Sequence, residues 1–92
     1  MRELQKRVNE HVMEQGGYWL PFQMLAALVE EVGELAESML IVEGVKGHGD
    51  IEKVKEEIGD VIYALLCIAN YYGIDAEEAL NETIAKYRKR NP

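Results

Sequence analysis

The sequence contains little of what marks several large classes of protein. Its 92 residues include two prolines, one tryptophan and a single cysteine, Cys67. A lone cysteine cannot form an internal disulfide or build a zinc site by itself, so we expect Cys67 to be an ordinary core residue. The longest unbroken apolar run, residues 61–69, is about half the length that a bilayer span requires. We therefore expect neither a disulfide-stabilised protein nor a membrane protein.

Basic residues are also scarce, which limits the kinds of partner that the protein can bind. The chain has 10 lysines and arginines against 17 aspartates and glutamates, which gives a formal net charge of −7. Nucleic acid and anionic membranes repel a protein of this charge. The first residues lack the apolar stretch of a signal peptide. We expect a cytoplasmic protein that binds neither nucleic acid nor membrane.

What is present has the composition of one packed helical domain. Hydrophobic residues make up 48% of the chain, and 92 residues have material for a single core. Glycines separate four stretches whose apolar residues recur at helical spacing. The predicted helices are residues 3–15, 21–42, 51–72 and 76 onward, with Asp50 and Asp75 as N-caps. We predict an all-α, four-helix bundle in which residues 1–92 form one domain.

The apolar run at residues 61–69 also bears on assembly. It is apolar on every face of the third helix, which is tolerated only when neighbours cover most of the helix. Three companion helices of so short a chain are too few, and a single small core is only marginally stable. We infer a homo-oligomer in which a second subunit covers the exposed side of this helix.

A repeated acidic motif is the main chemical signal. Residues 30–35, EEVGEL, recur as residues 56–61, EEIGDV, in the next helix. Antiparallel helices joined by a short loop bring two such motifs side by side, and a spacing of three residues places each pair of acids on one face. We expect four carboxylates to converge, those of Glu31, Glu34, Glu57 and Asp60.

A solvated helix face is the ordinary explanation of an acidic run. Against it, residues 30–60 hold ten acids and three bases, so the whole net charge of the chain lies there. Gly33 and Gly59 also occupy the same position in both copies, although a glycine within a helix costs about 1 kcal/mol relative to alanine. Close approach of two helix backbones around an ion explains them, as does close packing alone. We favour a cation site.

Oxygen ligands favour Mg²⁺, with Mn²⁺ as a substitute. Neither motif has the glutamate followed three residues later by histidine that a di-iron bundle requires, and we expect His11 at the surface and His48 in a loop. A divalent cation held by carboxylates suits phosphate oxygens and makes a bound water more acidic, so we expect cleavage of a phosphoanhydride. Glu30 and Glu34 are alternative candidates for positioning that water or accepting its proton.

Two further groups are candidates for holding a substrate. Four basic residues end the fourth helix, namely Lys86, Arg88, Lys89 and Arg90. They suit a helix C-terminus electrostatically, and Lys86 and Arg90 are the candidates for binding substrate phosphates. Trp19, beside Tyr18, either stacks on a nucleobase or anchors its loop to the core. Packing is the ordinary role of such aromatic residues.

At these residues the sequence resembles the MazG-like nucleotide pyrophosphohydrolases of the all-α NTP pyrophosphatase superfamily. The resemblance rests on ExxE at Glu31 and Glu34 and on ExxD at Glu57 and Asp60, and it extends over most of the chain past residue 16. It implies hydrolysis of a nucleoside triphosphate to the monophosphate and pyrophosphate, with Mg²⁺ held by these four acids. It also implies dimers or tetramers whose sites combine helices of two subunits.

The sequence departs from the family pattern at one position, and two alternative functions are left open. Several branches of the family have a Lys-Asn pair in the last helix, whereas here Lys86 precedes Tyr87, so the base or sugar contact of that asparagine is not carried over. Phosphoribosyl-ATP pyrophosphohydrolase also has paired acidic helices and an aspartate followed three residues later by tyrosine, as in Asp60 and Tyr63. A non-catalytic helical oligomerisation module is the alternative from another class.

Overall fold

The computed structural model describes residues 1–44 and 50–90, and these form four α-helices without a strand. The helices are α1 (Arg2–Glu14), α2 (Pro21–Val42), α3 (Ile51–Tyr71) and α4 (Ala76–Arg90). The all-α prediction is confirmed, and the predicted bounds of the first three helices agree to within one residue. The predicted loop position of His48 lies outside the described residues. No helix in the described ranges is both long and apolar enough to cross a membrane.

Aspartate side chains set the starts of α3 and α4. Asp50 Oδ1 accepts a hydrogen bond from the N–H of Glu52 at 2.9 Å. Asp75 Oδ1 accepts from the N–H groups of Glu77 and Glu78 at 2.9 and 3.2 Å. These bonds satisfy donors that have no partner within the first turn of a helix. Both predicted N-caps are confirmed.

The long helices α2 and α3 pack along each other as a hairpin, and α1 packs on α3. Among the described residues, three apolar side chains are buried: Val12 of α1, Met24 of α2 and Leu66 of α3. No residue of α4 is buried. The core is therefore formed by α1, α2 and α3, and α4 lies outside it.

A cluster of polar groups, the polar clamp, joins the start of α1 to the end of α3 and the start of α4. The clamp consists of Gln5, Asn70, Ile74 and Ala76. The buried Gln5 donates through Nε2 to Asn70 Oδ1 at 3.0 Å and to the carbonyl of Ile74 at 2.9 Å. Its Oε1 accepts from the N–H of Ala76, and Asn70 donates back to the Gln5 carbonyl, both at 2.9 Å. Because the buried groups are paired, the clamp avoids the desolvation cost of Gln5.

A large part of the apolar surface of the chain is uncovered. The accessible surface is 7102 Å², whereas a compact protein of this mass exposes about 5,400 Å². The radius of gyration is 15.5 Å, against about 12 Å for a compact chain of this length. Within residues 61–69 only Leu66 is buried, and Ile62 and Leu65 are exposed. The other helices of the same chain therefore cover this segment only in part.

Replacing Gln5 by leucine should destabilise the fold by about 2 kcal/mol. Leucine keeps the approximate size of the side chain but leaves the carbonyl of Ile74 and the N–H of Ala76 without their partner. Urea unfolding at a fixed protein concentration measures the loss. Lys6→Leu is the control, because Lys6 is exposed on the same helix and its replacement should change the free energy of unfolding by less than about 0.5 kcal/mol. Equal losses in the two variants would contradict the role of the clamp.

Candidate active site

Three carboxylates meet where α2 packs on α3. One oxygen each of Glu31, Glu57 and Asp60 lie within 4.8 Å of one another. Glu57 and Asp60 are one turn apart on α3, and the packing of α2 on α3 brings Glu31 to them. Glu57 is only 4% exposed, Glu31 is half-buried and Asp60 is exposed. The carboxylate cluster, as we call these three residues, therefore has a buried floor and an open side.

The two other predicted acids lie near the carboxylate cluster but outside it. The exposed Glu34 shares a side-chain hydrogen bond with Glu31. Glu30 is also exposed and precedes Glu31 directly, which places it about 100° around the axis of α2. The structure thus brings together three of the four predicted metal ligands and places the fourth, Glu34, at their edge. The catalytic roles of Glu30 and Glu34 stay predictions.

The neighbouring negative charges make proton binding easier at this site. The side-chain hydrogen bond that Glu31 donates to Glu34 when it is protonated, followed by burial and the charges of the surrounding acids, raises the pKa of Glu31 to about 7. Burial, followed by the charge of Glu57, raises the pKa of Asp60. The site therefore carries a proton near neutral pH that a bound cation would displace.

Two carboxylate oxygens show that the residues fit a divalent cation. Oε2 of Glu31 and Oε2 of Glu57 are buried and have no hydrogen-bond partner. A buried acceptor without a partner costs free energy unless another group binds it. Carboxylate oxygens converging in this way are the ligands that Mg²⁺ and Mn²⁺ prefer. The donor set therefore fits the predicted type of ion.

One residue beside the carboxylate cluster was missed by the sequence prediction. Nζ of Lys53 lies 3.2 Å from Oε1 of Glu57 and 3.5 Å from Oε2 of Glu56. The hydrogen bond to Glu57, with the charges of Glu56 and Glu57, raises the pKa of Lys53 above its usual value. The spacing of four residues between Lys53 and Glu57 was the signal in the sequence that could have revealed this pair.

Gly33 and Gly59 do not mark a close approach of α2 and α3 within the chain. A Cβ atom added at either position would meet no atom within 4 Å apart from its own helix backbone and chain neighbours. The prediction that these glycines admit a neighbouring backbone is therefore wrong within one subunit. The space beside both glycines is open to a group from outside the chain.

A cavity of about 530 Å³ opens beside the carboxylate cluster. Glu31 and Asp60 line it, as do Trp19, Tyr63 and Cys67. Cys67 follows Asp60 by seven residues on α3, a distance of about 10 Å along the helix. The volume is within the range of small-molecule sites, about 300–1,000 Å³. The acids and the aromatic residues therefore belong to one continuous site.

The two aromatic residues before α2 have different surroundings. Tyr18 is half-buried and donates from its hydroxyl to Asn9 Oδ1 of α1 at 2.5 Å, so it anchors the segment that precedes α2. Trp19 is 64% exposed and lines the cavity. The favoured prediction, an anchor in the core, is wrong for Trp19 within one subunit. A contact between Trp19 and a nucleobase stays a prediction.

Tyr63 connects the cavity to two polar side chains. Its hydroxyl lies 2.7 Å from Nδ1 of His11 and shares a hydrogen bond with the half-buried Cys67. His11 is exposed, which confirms its predicted surface position. Burial raises the pKa of the Cys67 thiol. The prediction of an ordinary core cysteine is wrong, because Cys67 is only half-buried and lines the cavity.

The predicted phosphate-binding residues lie apart from the cavity. Lys86 Nζ is 5.1 Å and Arg90 Cζ 5.8 Å from the ring centre of Tyr87, so both cations contact that ring. Neither residue lines the cavity beside the carboxylate cluster. Binding of phosphates by Lys86 and Arg90 stays a prediction.

The fold and the site define the class of the protein. It is an all-α protein whose helical hairpin carries a carboxylate cluster suited to a divalent cation. Residues 21–92 match the sequence model of the MazG nucleotide pyrophosphohydrolase domain. The chain belongs to this family, as the resemblance in the sequence predicts.

Individual relatives are similar over nearly the whole chain. The uncharacterised protein YpjD of Bacillus subtilis (strain 168) is 36% identical over 95 residues, which cover 99% of this chain and 86% of YpjD. A crystal structure of a Bacillus-conserved MazG protein, a nucleotide pyrophosphohydrolase, superposes with a TM-score of 0.79 at 33% identity and covers 94% of this chain and 86% of that one. The crystal structure of YpjD superposes with a TM-score of 0.81 at 34% identity and covers 99% of this chain and 95% of that one.

Lowering the pH should stabilise the metal-free protein. The pKa of Glu31 is raised from 4.5 to about 7 in the folded state, so its contribution to stability is fully present below pH 4.5 and is lost as the pH rises through 7. In EDTA, we expect the melting temperature to rise between about pH 8 and about pH 5.5. Glu31→Gln should flatten this dependence, because an amide does not titrate.

Glu82→Gln is the control for this prediction. It removes the same charge from an exposed position on α4, outside the carboxylate cluster. The control should keep the pH dependence of the original protein. An equally steep dependence in Glu31→Gln would show that another group takes up the proton.

Proposed function

We propose that this protein hydrolyses nucleoside triphosphates to nucleoside monophosphates and pyrophosphate, with Mg²⁺ as cofactor. The observation that carries the proposal is the continuity of the carboxylate cluster with the cavity, since Glu31 and Asp60 belong to both. Membership of the MazG nucleotide pyrophosphohydrolase family supports the reaction class. In this proposal the triphosphate lies at the acids and the nucleoside extends toward Trp19.

Glu31, Glu34, Glu57 and Asp60 hold the cation in this proposal. The burial of Glu57 and the partial burial of Glu31 strengthen charge interactions, and the unpartnered oxygens of these two residues are satisfied on binding. When bound, Mg²⁺ neutralises charge on the phosphates and makes a water more acidic. Glu34, at the edge of the carboxylate cluster, and Glu30, beside it on α2, are the candidates for accepting the proton of the attacking water.

The apolar part of the cavity binds the nucleoside in this proposal. Trp19 offers an exposed indole ring on which a base can stack. Tyr63 and Cys67 offer polar atoms about one and two turns of α3 from Asp60. Such a site holds a ligand by apolar contact and orients it with a few polar groups.

We propose further that the functional form is a homo-oligomer, either a dimer or a tetramer. The chain exposes about 1,700 Å² more than a compact protein of its mass, and a typical stable interface buries about 800 Å² on each partner. The partly exposed residues 61–69 and the open space beside Gly33 and Gly59 lie on the helices that carry the acids. A second subunit can therefore complete the site and bring Lys86 and Arg90 to the phosphates.

Release of pyrophosphate from a panel of nucleoside triphosphates tests the reaction. With Mg²⁺, Glu57→Gln and Asp60→Asn should lower kcat by at least about 100-fold, because each removes a ligand charge from the cation. Glu52→Gln is the control on the same helix, since Glu52 is exposed and outside the carboxylate cluster. Unchanged rates in Asp60→Asn and Glu34→Gln would refute the site. No turnover and no rise of the melting temperature with Mg²⁺ would favour a non-catalytic module.

Light scattering at micromolar concentration tests the assembly. We expect at least twice the subunit mass of 10.5 kDa. Leu65→Glu places a charge on the uncovered face of α3 and should shift the protein toward the monomer, because burying an unpaired carboxylate in an interface is costly. The proposed interface would be contradicted if the original protein is a monomer, or if the Leu65→Glu variant has the same mass in solution as the original protein.

A further inference from the structure

Lys53 contacts the carboxylate cluster on one side of Glu57 only. Its ammonium lies 3.2 Å from Oε1 of Glu57, while Oε2 of the same carboxylate is buried without a partner. The two oxygens of Glu57 are therefore in different situations. One is held by a charged group from the preceding helical turn, and the other is left for a ligand.

The exposed fractions of the Lys53 and Glu57 side chains indicate how this contact affects the site. The Lys53 side chain is 54% exposed, so water and salt screen its charge, whereas the Glu57 side chain is 5% exposed. Lys53 can repel a cation only weakly through solvent, but it directly limits rotation of the buried carboxylate. An ammonium that competed for the cation position would contact Oε2, the oxygen that lacks a partner.

We propose that Lys53 is a positioning residue for the metal site, and that it holds Oε1 of Glu57 so that Oε2 remains directed toward the cation. This inference rests on the proposed function, because it presupposes that Glu57 is a metal ligand. Removing a group that orients a metal ligand typically changes metal affinity by about 10- to 100-fold. Removal of Lys53 should therefore weaken cation binding, although a positive charge is removed from beside the site.

Titration of the full chain with Mn²⁺ tests the proposal without any substrate. The EPR signal of the free ion gives the dissociation constant. We expect Lys53→Met to raise the Kd for Mn²⁺ by about tenfold or more and Lys53→Arg to stay within about threefold of the original protein. Lys55→Met is the matched control, because Lys55 is two residues away on α3, is 81% exposed and pairs with Glu52 at 4.0 Å. Its Kd should be unchanged.

A double-mutant cycle tests whether Lys53 acts through Glu57. In a Glu57→Gln background, Lys53→Met should have little further effect on the Kd for Mn²⁺, since the group that it positions is gone. Circular dichroism in EDTA establishes that each variant is folded before titration.

Three results would overturn the proposal. They are an unchanged or lower Kd in Lys53→Met, a Lys53→Arg variant as weak as Lys53→Met, and an equal loss in the Glu57→Gln background. If the original protein binds Mn²⁺ tightly and any of these three results is obtained, the proposed metal site stands and only the role of Lys53 is refuted. An original protein that binds no Mn²⁺ would refute the metal site and this inference together.

Discussion

Repulsion among carboxylates is the constraint on which the site depends. Packing of α2 along α3 brings Glu31 to Glu57 and Asp60, and no arrangement of these acids is favourable without a proton, a lysine or a cation. The raised pKa of Glu31 and the contact of Lys53 with Glu57 are two responses to the same electrostatic cost. The apolar packing of the hairpin offsets this cost, so folding keeps the charges together.

One face of α3 connects the carboxylate cluster to the rest of the cavity. Tyr63 and Ala64 follow Asp60 by three and four residues, Cys67 follows Ala64 by three, and all four line the same cavity. The end of α1, the residues before α2 and residues of α2 itself complete the lining. The spacing of residues along α3 thus fixes the distance between Asp60 and the part of the cavity around Cys67.

The sequence allowed good prediction of the helices, because spacing, glycines and aspartate caps are local signals. The pairing of EEVGEL with EEIGDV also predicted the meeting of Glu31, Glu57 and Asp60, since a hairpin of equal helices leaves few other alignments. The surroundings of Trp19, Cys67 and the two glycines were not predictable in this way. These surroundings depend on how helices from distant parts of the chain pack, and on groups outside the chain. The helical period of a sequence contains no information about the cavities that such packing leaves.

The polar clamp has a consequence for the far end of α1. Gln5 fixes the helix near its start, and Gln15, which lines the cavity, lies ten residues or about 15 Å further along. Two glycines with positive φ follow it, so the chain there offers little stiffness of its own. The buried Val12 and the contact of His11 with Tyr63 hold the second half of the first helix on α3, so the cavity wall at Gln15 is positioned from both ends of that helix.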